Sequence, residues 1–192
     1  GTCYVADSLE EVYEYREIPS YKEVCEDKVK YALASQIQEL EQDHVHGATL
    51  VQEHNGKYLV QNKPERPLER EQLDEVYGLP YMKNYHPIYE KDGGIPAIEE
   101  VKFSLVSSRG CFGNCSFCAI TMHQGRIVTS RSQDSIIKEA EEITHLPDFK
   151  GYIHDVGGPT ANFRGPACNK QLDKGACKNK QCLTPNPCKA MN

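Results

Sequence analysis

Apolar residues recur at helical spacing near the start of the chain. Ser20 and Glu23 have the spacing of a capping box, in which each side chain satisfies a backbone N–H of the other residue. The apolar positions that follow share one helical face: Cys25, Val29, Ala32, Leu33, Ile37 and Leu40. The pattern predicts a single helix over about residues 21–43.

Two strand-forming runs then flank Asn55 and Gly56 in "ATLVQEHNGKYLVQN". This dipeptide favours the positive φ angles of a tight turn, so the segment predicts a β-hairpin. A linker with spaced prolines leads to a short predicted helix that ends at Gly78. Residues 84–101 are predicted to form an irregular connection.

The second half of the chain has the order strand, helix, strand. "VKFSLVSS" (101–108) predicts a strand that ends just before Arg109 and Gly110. Ser132 is a candidate N-cap for an amphipathic helix, and "KGYIHDVGG" (150–158) predicts a second strand. This order is typical of a βαβ unit with parallel strands, so we expect an α/β fold. The pattern divides the chain into a helix and hairpin lobe (1–98), an α/β core (99–165) and a cysteine-rich basic segment (166–192).

Composition narrows the class of protein. The 192 residues are 39% apolar, carry a net charge of −6 and include nine cysteines. No run of about 18 apolar residues and no leader-like N-terminus is present, so we expect a cytoplasmic protein with no membrane partner. In a reducing compartment, clustered cysteines bind metals more often than they form disulfides. Residues 164–192 carry six basic residues against Asp173 alone, which is typical of a solvated surface and also permits contact with nucleic acid.

Three cysteines crowd into the loop after the first core strand, in "RGCFGNCSFCAI": Cys111, Cys115 and Cys118. A structural zinc site normally takes four ligands from separated pairs, and a redox dithiol would need only Cys115 and Cys118. A four-iron cluster uses all three thiolates and leaves one iron open to another ligand. The spacing therefore favours an iron–sulfur cluster that takes part in substrate or cofactor chemistry.

The motif C-x3-C-x-aromatic-C, with Phe117 before its last cysteine, resembles the signature of the radical S-adenosylmethionine (SAM) superfamily. That superfamily has a glycine-rich turn after its second strand, which Gly157 and Gly158 match, although Pro159 stands where a glutamate is common. The residues from about Pro19 onward resemble the YgiQ-like branch, in segments such as "LVQNKPERPL", "LPYMKNYHPIYE" and "PDFKGYIHDVGGPTANF".

The resemblance implies a radical SAM (β/α) partial barrel, of which residues 99–165 supply the first βαβ unit. It implies a 4Fe-4S cluster on the three loop cysteines and SAM bound by Phe117, Gly157 and Gly158. An electron from the cluster would cleave SAM to a 5'-deoxyadenosyl radical, which makes the protein an oxidoreductase supplied by a reductant such as flavodoxin or ferredoxin. The resemblance names no substrate.

Beyond Cys118 the chain has room for only one helix, one strand and the cysteine-rich segment. We therefore expect a fragment of a longer enzyme that is inactive in isolation. The alternative from another class is a zinc-stabilised module that binds nucleic acid or protein. His123 and Arg126 either face SAM or substrate or have packing or surface roles.

The cysteine-rich segment contains a second set of potential ligands at C-x8-C-x4-C-x5-C: Cys168, Cys177, Cys182 and Cys188. A segment with so few apolar residues cannot order itself by burial, whereas a metal can replace a core. We expect a second metal site there, for zinc or an auxiliary iron–sulfur cluster. Solvent-facing or oxidised thiols are the alternative.

Overall fold

The computed structural model describes residues 1–158, 161–179 and 181–191. Contacts group the chain into two compact units: the first unit contains Gly1–Pro67, Gly110–Val128 and Pro166–Asn192, and the second unit contains Leu68–Arg109 and Thr129–Gly165. The predicted boundaries at residues 98 and 165 stay a prediction for the domains of the whole protein. Among the described residues, no helix is long and apolar enough to cross a membrane.

A four-stranded sheet organises the first unit. Its strands β1 (Cys3–Ala6), β2 (Tyr15–Glu17), β3 (Thr49–His54) and β4 (Lys57–Gln61) lie in the order β1-β4-β3-β2. β3 and β4 are antiparallel, and the turn residues Asn55 and Gly56 have φ angles of 52° and 82°. The predicted hairpin is confirmed. β1 pairs antiparallel to β4, whereas β2 pairs parallel to β3.

The prediction of one helix over residues 21–43 is wrong, because two helices form: α1 (Tyr21–Glu26) and α2 (Lys28–Leu40). The predicted capping box of Ser20 and Glu23 begins α1. Asp27 is extended, with φ −130° and ψ 113°, and its carboxylate accepts the Val29 N–H at 2.7 Å. A short acidic side chain competes with the helical backbone for such N–H groups, so Asp27 ends one helix and caps the next.

Consecutive residues of a strand point to opposite faces of the sheet, so neighbouring residues of β3 belong to two different cores. Leu50 packs with Ile18, Ala34 and Ile37, which brings α2 onto one face. Val51 and Val60 pack with Val12 on the other face. Two short helices complete the first unit: α5 (Ile120–Gln124) and α7 (Lys170–Lys174).

The second unit is built around a short parallel strand pair. β5 (Ser104–Val106) runs parallel to β8 (Asp155–Gly157), with Leu105 opposite Val156, and α6 (Gln133–Thr144) lies between them in sequence. The predicted parallel βαβ order is therefore confirmed, and so is the N-cap at Ser132. Beside this pair, β6 (Ser108–Arg109) pairs antiparallel with β7 (Thr129–Ser130).

The remaining helices of the second unit differ in part from expectation. α3 (Arg70–Tyr77) ends at Gly78 as predicted. The stretch predicted as irregular contains a 3-10 helix (Pro87–Asp92) and α4 (Ile98–Val101). The strand predicted over 101–108 is consequently shorter, and the one over 150–158 shrinks to β8. The core of this unit joins Phe103 and Leu105 to Ile143 of α6. The fold is mixed α/β, as predicted, and the partial barrel stays a prediction.

Candidate metal centre

The loop with the three cysteines follows β6 in sequence and leads into α5. Its first residue, Gly110, has a φ of 86°, and a Cβ there would lie 2.3 Å from the Ile127 carbonyl oxygen, so only glycine fits. The Gly110 N–H donates to Gln124 Oε1 at 3.2 Å, and the Cys111 N–H donates to the Gly125 carbonyl at 3.0 Å. These contacts fix where the loop begins.

The middle of the loop holds two sulfur atoms around one glycine. A Cβ on Gly113 would lie 3.3 Å from Cys111 Sγ and 3.8 Å from Cys115 Sγ. The Gly113 N–H also points toward Cys111 Sγ, at 3.4 Å. Asn114, with φ 48°, donates from Nδ2 to Glu39 Oε1 at 2.7 Å. The missing side chain at position 113 therefore leaves a small gap between two candidate ligands.

The three thiols differ in exposure. Cys111 is buried, Cys118 is half-buried and Cys115 is exposed. The Cys118 N–H donates to the Cys115 carbonyl at 3.0 Å, so these two residues share one turn, and the Phe117 ring between them is 90% exposed. Across residues 1–158, 161–179 and 181–191, no three His, Cys, Asp or Glu side chains are arranged to hold a metal ion. The three thiols are the type of ligand that holds an iron–sulfur cluster. The exposure of Cys115 leaves one side of such a cluster open to another ligand.

The glycine turn belongs to the second unit. Gly157 ends β8, and the Gly158 N–H lies 3.4 Å from Asn162 Oδ1. A Cβ on Gly158 would lie 2.7 Å from the hydroxyl of Ser108, which is buried and has no hydrogen-bond partner within the described part of the chain. Sequence reasoning passed over Ser108, because a serine in a strand carries no signal of its own. Pro159 lies outside the described residues.

The cysteine-rich segment is attached to the first unit through Asp43, which is 6% exposed. One carboxylate oxygen accepts the Val45 and His46 N–H groups at 2.9 Å each, and the other accepts the Ala176 N–H at 2.6 Å. Burial on its own would raise the pKa of Asp43, but these N–H donors outweigh it and hold the pKa below its usual value. Sequence reasoning missed Asp43, because its role depends on a partner 133 residues away.

Arg126 is also buried, and it contacts the cysteine-rich segment. Its Nη1 donates to the Cys177 carbonyl at 2.8 Å. Arg126 and His123 both line a cavity of about 450 Å³ together with Asp43. Their predicted contact with SAM or substrate stays a prediction.

Comparison with known proteins decides the family. Residues 1–104 match a family model described as Radical SAM N-terminal. The chain belongs to this family. The predicted membership of the radical SAM superfamily is thereby confirmed. The Radical SAM N-terminal match ends before the cysteine loop, so it does not itself include the three candidate ligands.

Relatives within the curated proteins extend over the whole chain. The UPF0313 protein CPE1196 of Clostridium perfringens (strain 13 / Type A) is 73% identical over 192 residues, which is 100% of this chain and 29% of that protein. The UPF0313 protein CLJ_B0249 of Clostridium botulinum (strain 657 / Type Ba4) is 59% identical over 189 residues, covering 98% of this chain and 30% of the relative. The chain thus spans less than a third of the length of these relatives. No solved structure matches it.

The gap at Gly113 gives a test of the loop. Gly113→Ala is expected to weaken iron retention by about tenfold or more, since the new methyl group would lie 3.3 Å from Cys111 Sγ and displace that ligand, and such overpacking costs about 1–3 kcal/mol. Iron release to a chelator from the anaerobically reconstituted chain measures this. Gly165→Ala is the matched control, because a Cβ there meets nothing within 4 Å. Equal release from both variants would contradict the placement of the cluster against Gly113.

The attachment at Asp43 gives a pH-dependent test. Asp43→Ala is expected to speed amide exchange around Ala176 by about tenfold or more at pH 7, since hydrogen bonds to a charged group contribute about 1.5–3 kcal/mol each. Because the folded pKa is lowered, this stabilisation is present above the unfolded pKa and is lost as the pH falls through the folded one. The gap between variant and parent protection factors should therefore close in acid. Asp7→Ala, at an exposed ion pair with Lys57, should leave Ala176 unchanged; a gap that persists in acid would contradict the charge-based account.

Proposed function

We propose that the whole protein is a radical SAM enzyme whose 4Fe-4S cluster is held by Cys111, Cys115 and Cys118. The observation that carries the proposal is the loop geometry: the sulfurs of Cys111 and Cys115 both lie within 3.8 Å of the position that a Cβ on Gly113 would take, and Cys118 shares a turn with Cys115. Membership of the Radical SAM N-terminal family supports it. When bound, the reduced cluster supplies the electron that cleaves a carbon–sulfur bond of SAM.

The residues of the loop have distinct tasks in this proposal. Burial of Cys111 and the hydrogen bonds on either side of it fix the inner ligand, whereas exposed Cys115 leaves one side of the loop accessible to a small molecule. The exposed ring of Phe117 offers a flat apolar surface on which the purine of SAM can pack. Ligation requires all three thiols to lose their protons.

In the second unit, the proposal assigns Gly157 and Gly158 to SAM. Neither position can carry a side chain, because a Cβ on Gly157 would lie 2.8 Å from Asn162 Oδ1 and one on Gly158 would lie 2.6 Å from the Ala161 carbonyl oxygen. The backbone of this turn therefore packs closely against its neighbours, and glycine is needed at both positions. The buried, unpartnered hydroxyl of Ser108 beside Gly158 is a further polar group that such a ligand can satisfy. The assignment concerns these residues alone, and the substrate of the whole protein is left open.

Anaerobic reconstitution of the chain with iron and sulfide tests the proposal. We expect brown protein with at least about four irons per chain, as one cubane requires. Colourless protein that takes up about one zinc and no iron would overturn the proposal and favour the zinc-stabilised binding module instead.

A further inference from the structure

The cysteine-rich segment, defined as residues 166–191, brings its cysteines together through backbone contacts. The Cys188 N–H donates to the Cys182 carbonyl at 2.8 Å, which closes the loop between them. The Gln171 N–H donates to the Cys168 carbonyl at 3.1 Å at the start of α7. Arg126 donates to the Cys177 carbonyl at 2.8 Å, so the second cysteine is also held at a fixed place in the first unit.

Electrostatics show that these four thiols share one neighbourhood. Burial raises the pKa of the Cys182 thiol, Arg126 lowers it, and the thiols of Cys168, Cys177 and Cys188 raise it further. The three cysteines that act on Cys182 are thus the other three of the segment, although as many as 14 residues separate them in sequence.

The segment has little else to order it. None of its described residues belongs to the three hydrophobic cores, which lie in the sheet and helix layers. Its buried positions are small or polar, namely Ala167, Gln171, Gly175 and Ala176, while Leu172 is 52% exposed. Burial of so little apolar surface cannot offset the conformational entropy of some 25 residues, so another source of free energy is needed.

The surroundings suit a negatively charged centre. A divalent metal with four thiolates has a net charge of about −2, and five basic residues lie near the cysteines: Arg126, Lys170, Lys174, Lys178 and Lys189. Two acidic residues lie there as well, since Glu39 lines the same cavity as Cys188 and Glu41 Oε2 is 3.5 Å from Lys178 Nζ. Only Asp173 opposes them within the segment. An open cavity of about 820 Å³ lies against Cys188 and Arg126, so the loops have room to move inward.

We propose that Cys168, Cys177, Cys182 and Cys188 bind a thiophilic metal ion or cluster, as a second centre separate from the Cys111 loop. The four sulfurs are neighbours in the structure but are not in ligand geometry, so metal uptake draws them together. When a zinc ion or an already assembled cluster binds, four thiols lose four protons as four metal–sulfur bonds form, and the ligands that the metal carried before are released, so no oxidant or reductant is needed. Zinc and an iron–sulfur cluster share this donor chemistry, and the experiment separates them.

Metal analysis of a chain without the first site tests the proposal independently of SAM chemistry. In a variant with Cys111, Cys115 and Cys118 all changed to alanine, six of the nine cysteines remain. After anaerobic preparation with both metals offered, we expect either about one zinc or an iron–sulfur cluster with its visible absorption. Either metal supports the second centre and identifies it, and bound metal below about a tenth of the chains overturns it. The outcome does not depend on whether the Cys111 loop binds a cluster.

Thiol counting gives a second readout on the same variant. Exposed Cys3 and Cys25 should react at once with a thiol reagent, and the other four thiols should react only after a chelator has removed the metal. Six thiols that react at once would overturn the proposal.

A single substitution tests the second centre without changing the buried Cys111, as the triple variant does. Cys182→Ser in the otherwise unchanged chain is expected to remove the metal of the segment while leaving the iron of the Cys111 loop in place. Cys25→Ser, at an exposed cysteine on α1, is the matched control and should keep all of the metal. If Cys182→Ser has the same metal content as the control, the second centre is ruled out.

Discussion

Replacing Cys115 with alanine is expected to remove about four irons per chain and the cluster signal of the loop. Two thiolates cannot hold a cubane that three hold with one iron already open. The other six cysteines lie outside the loop, in α1, β1 and the cysteine-rich segment. Cys115 is exposed, so its removal leaves no cavity in the fold and the loss reports ligation rather than unfolding.

Iron content and the electron paramagnetic resonance (EPR) spectrum of the reduced chain measure this effect. Cys25→Ala is the matched control, because Cys25 is equally an exposed free cysteine and belongs to α1 rather than to the loop. The control should bind as much iron as the parent chain. Retention of the parent's iron content by Cys115→Ala would show that Cys115 is not a ligand.

Arg131→Met is expected to lower the free energy of unfolding by about 3–5 kcal/mol, the usual effect of breaking a buried ion pair. Arg131 is 4% exposed, and its Nη1 donates to Glu139 at 2.5 Å and to the Val106 carbonyl at 3.0 Å. Its Nε and Nη2 donate to Ser135 of α6, and its guanidinium lies 4.2 Å from the centre of the Tyr77 ring. One side chain thus joins β5, α6 and α3.

Urea unfolding of the second unit measures this effect. Removing Arg131 leaves the half-buried carboxylate of Glu139 with Lys83, 2.6 Å away, as its remaining ion-pair partner among the described residues, and the Val106 carbonyl without this donor. Lys150→Met is the control, because the Lys150 and Glu99 side chains are 3.9 Å apart and about two-thirds exposed. That change should alter the free energy by less than about 1 kcal/mol. Equal effects of the two substitutions would contradict the role given to Arg131.

The sequence predicted those elements whose signals are local. Asn55 and Gly56 determine the hairpin through their own φ preferences, and Ser132 caps α6 through an N–H three residues away. The break at Asp27 was missed because helical periodicity continues across it, although Val29 is in fact 75% exposed and Ala34 and Ile37 face the core. Periodicity indicates a helix without showing which residues it buries.

For the candidate site too, features with a local sequence signal were predicted and features that depend on distant residues were not. Three cysteines within eight residues identify a ligand loop from spacing alone. The contacts of Asp43 with Ala176 and of Arg126 with Cys177 join residues far apart in sequence, and no local pattern encodes them. The parallel pairing of β5 with β8 could be predicted from the sequence, because the order strand, helix, strand restricts the topology. The length of each strand, three residues, depends on packing and could not.

EPR of a chain that retains only the loop cysteines tests the central claim most directly. In this variant Cys3, Cys25 and the four cysteines of the segment become serine, so any cluster must be held by Cys111, Cys115 and Cys118. After anaerobic reconstitution and reduction, we predict about four irons per chain and a cubane signal. A reconstituted variant that binds no iron and shows no such signal would contradict the account.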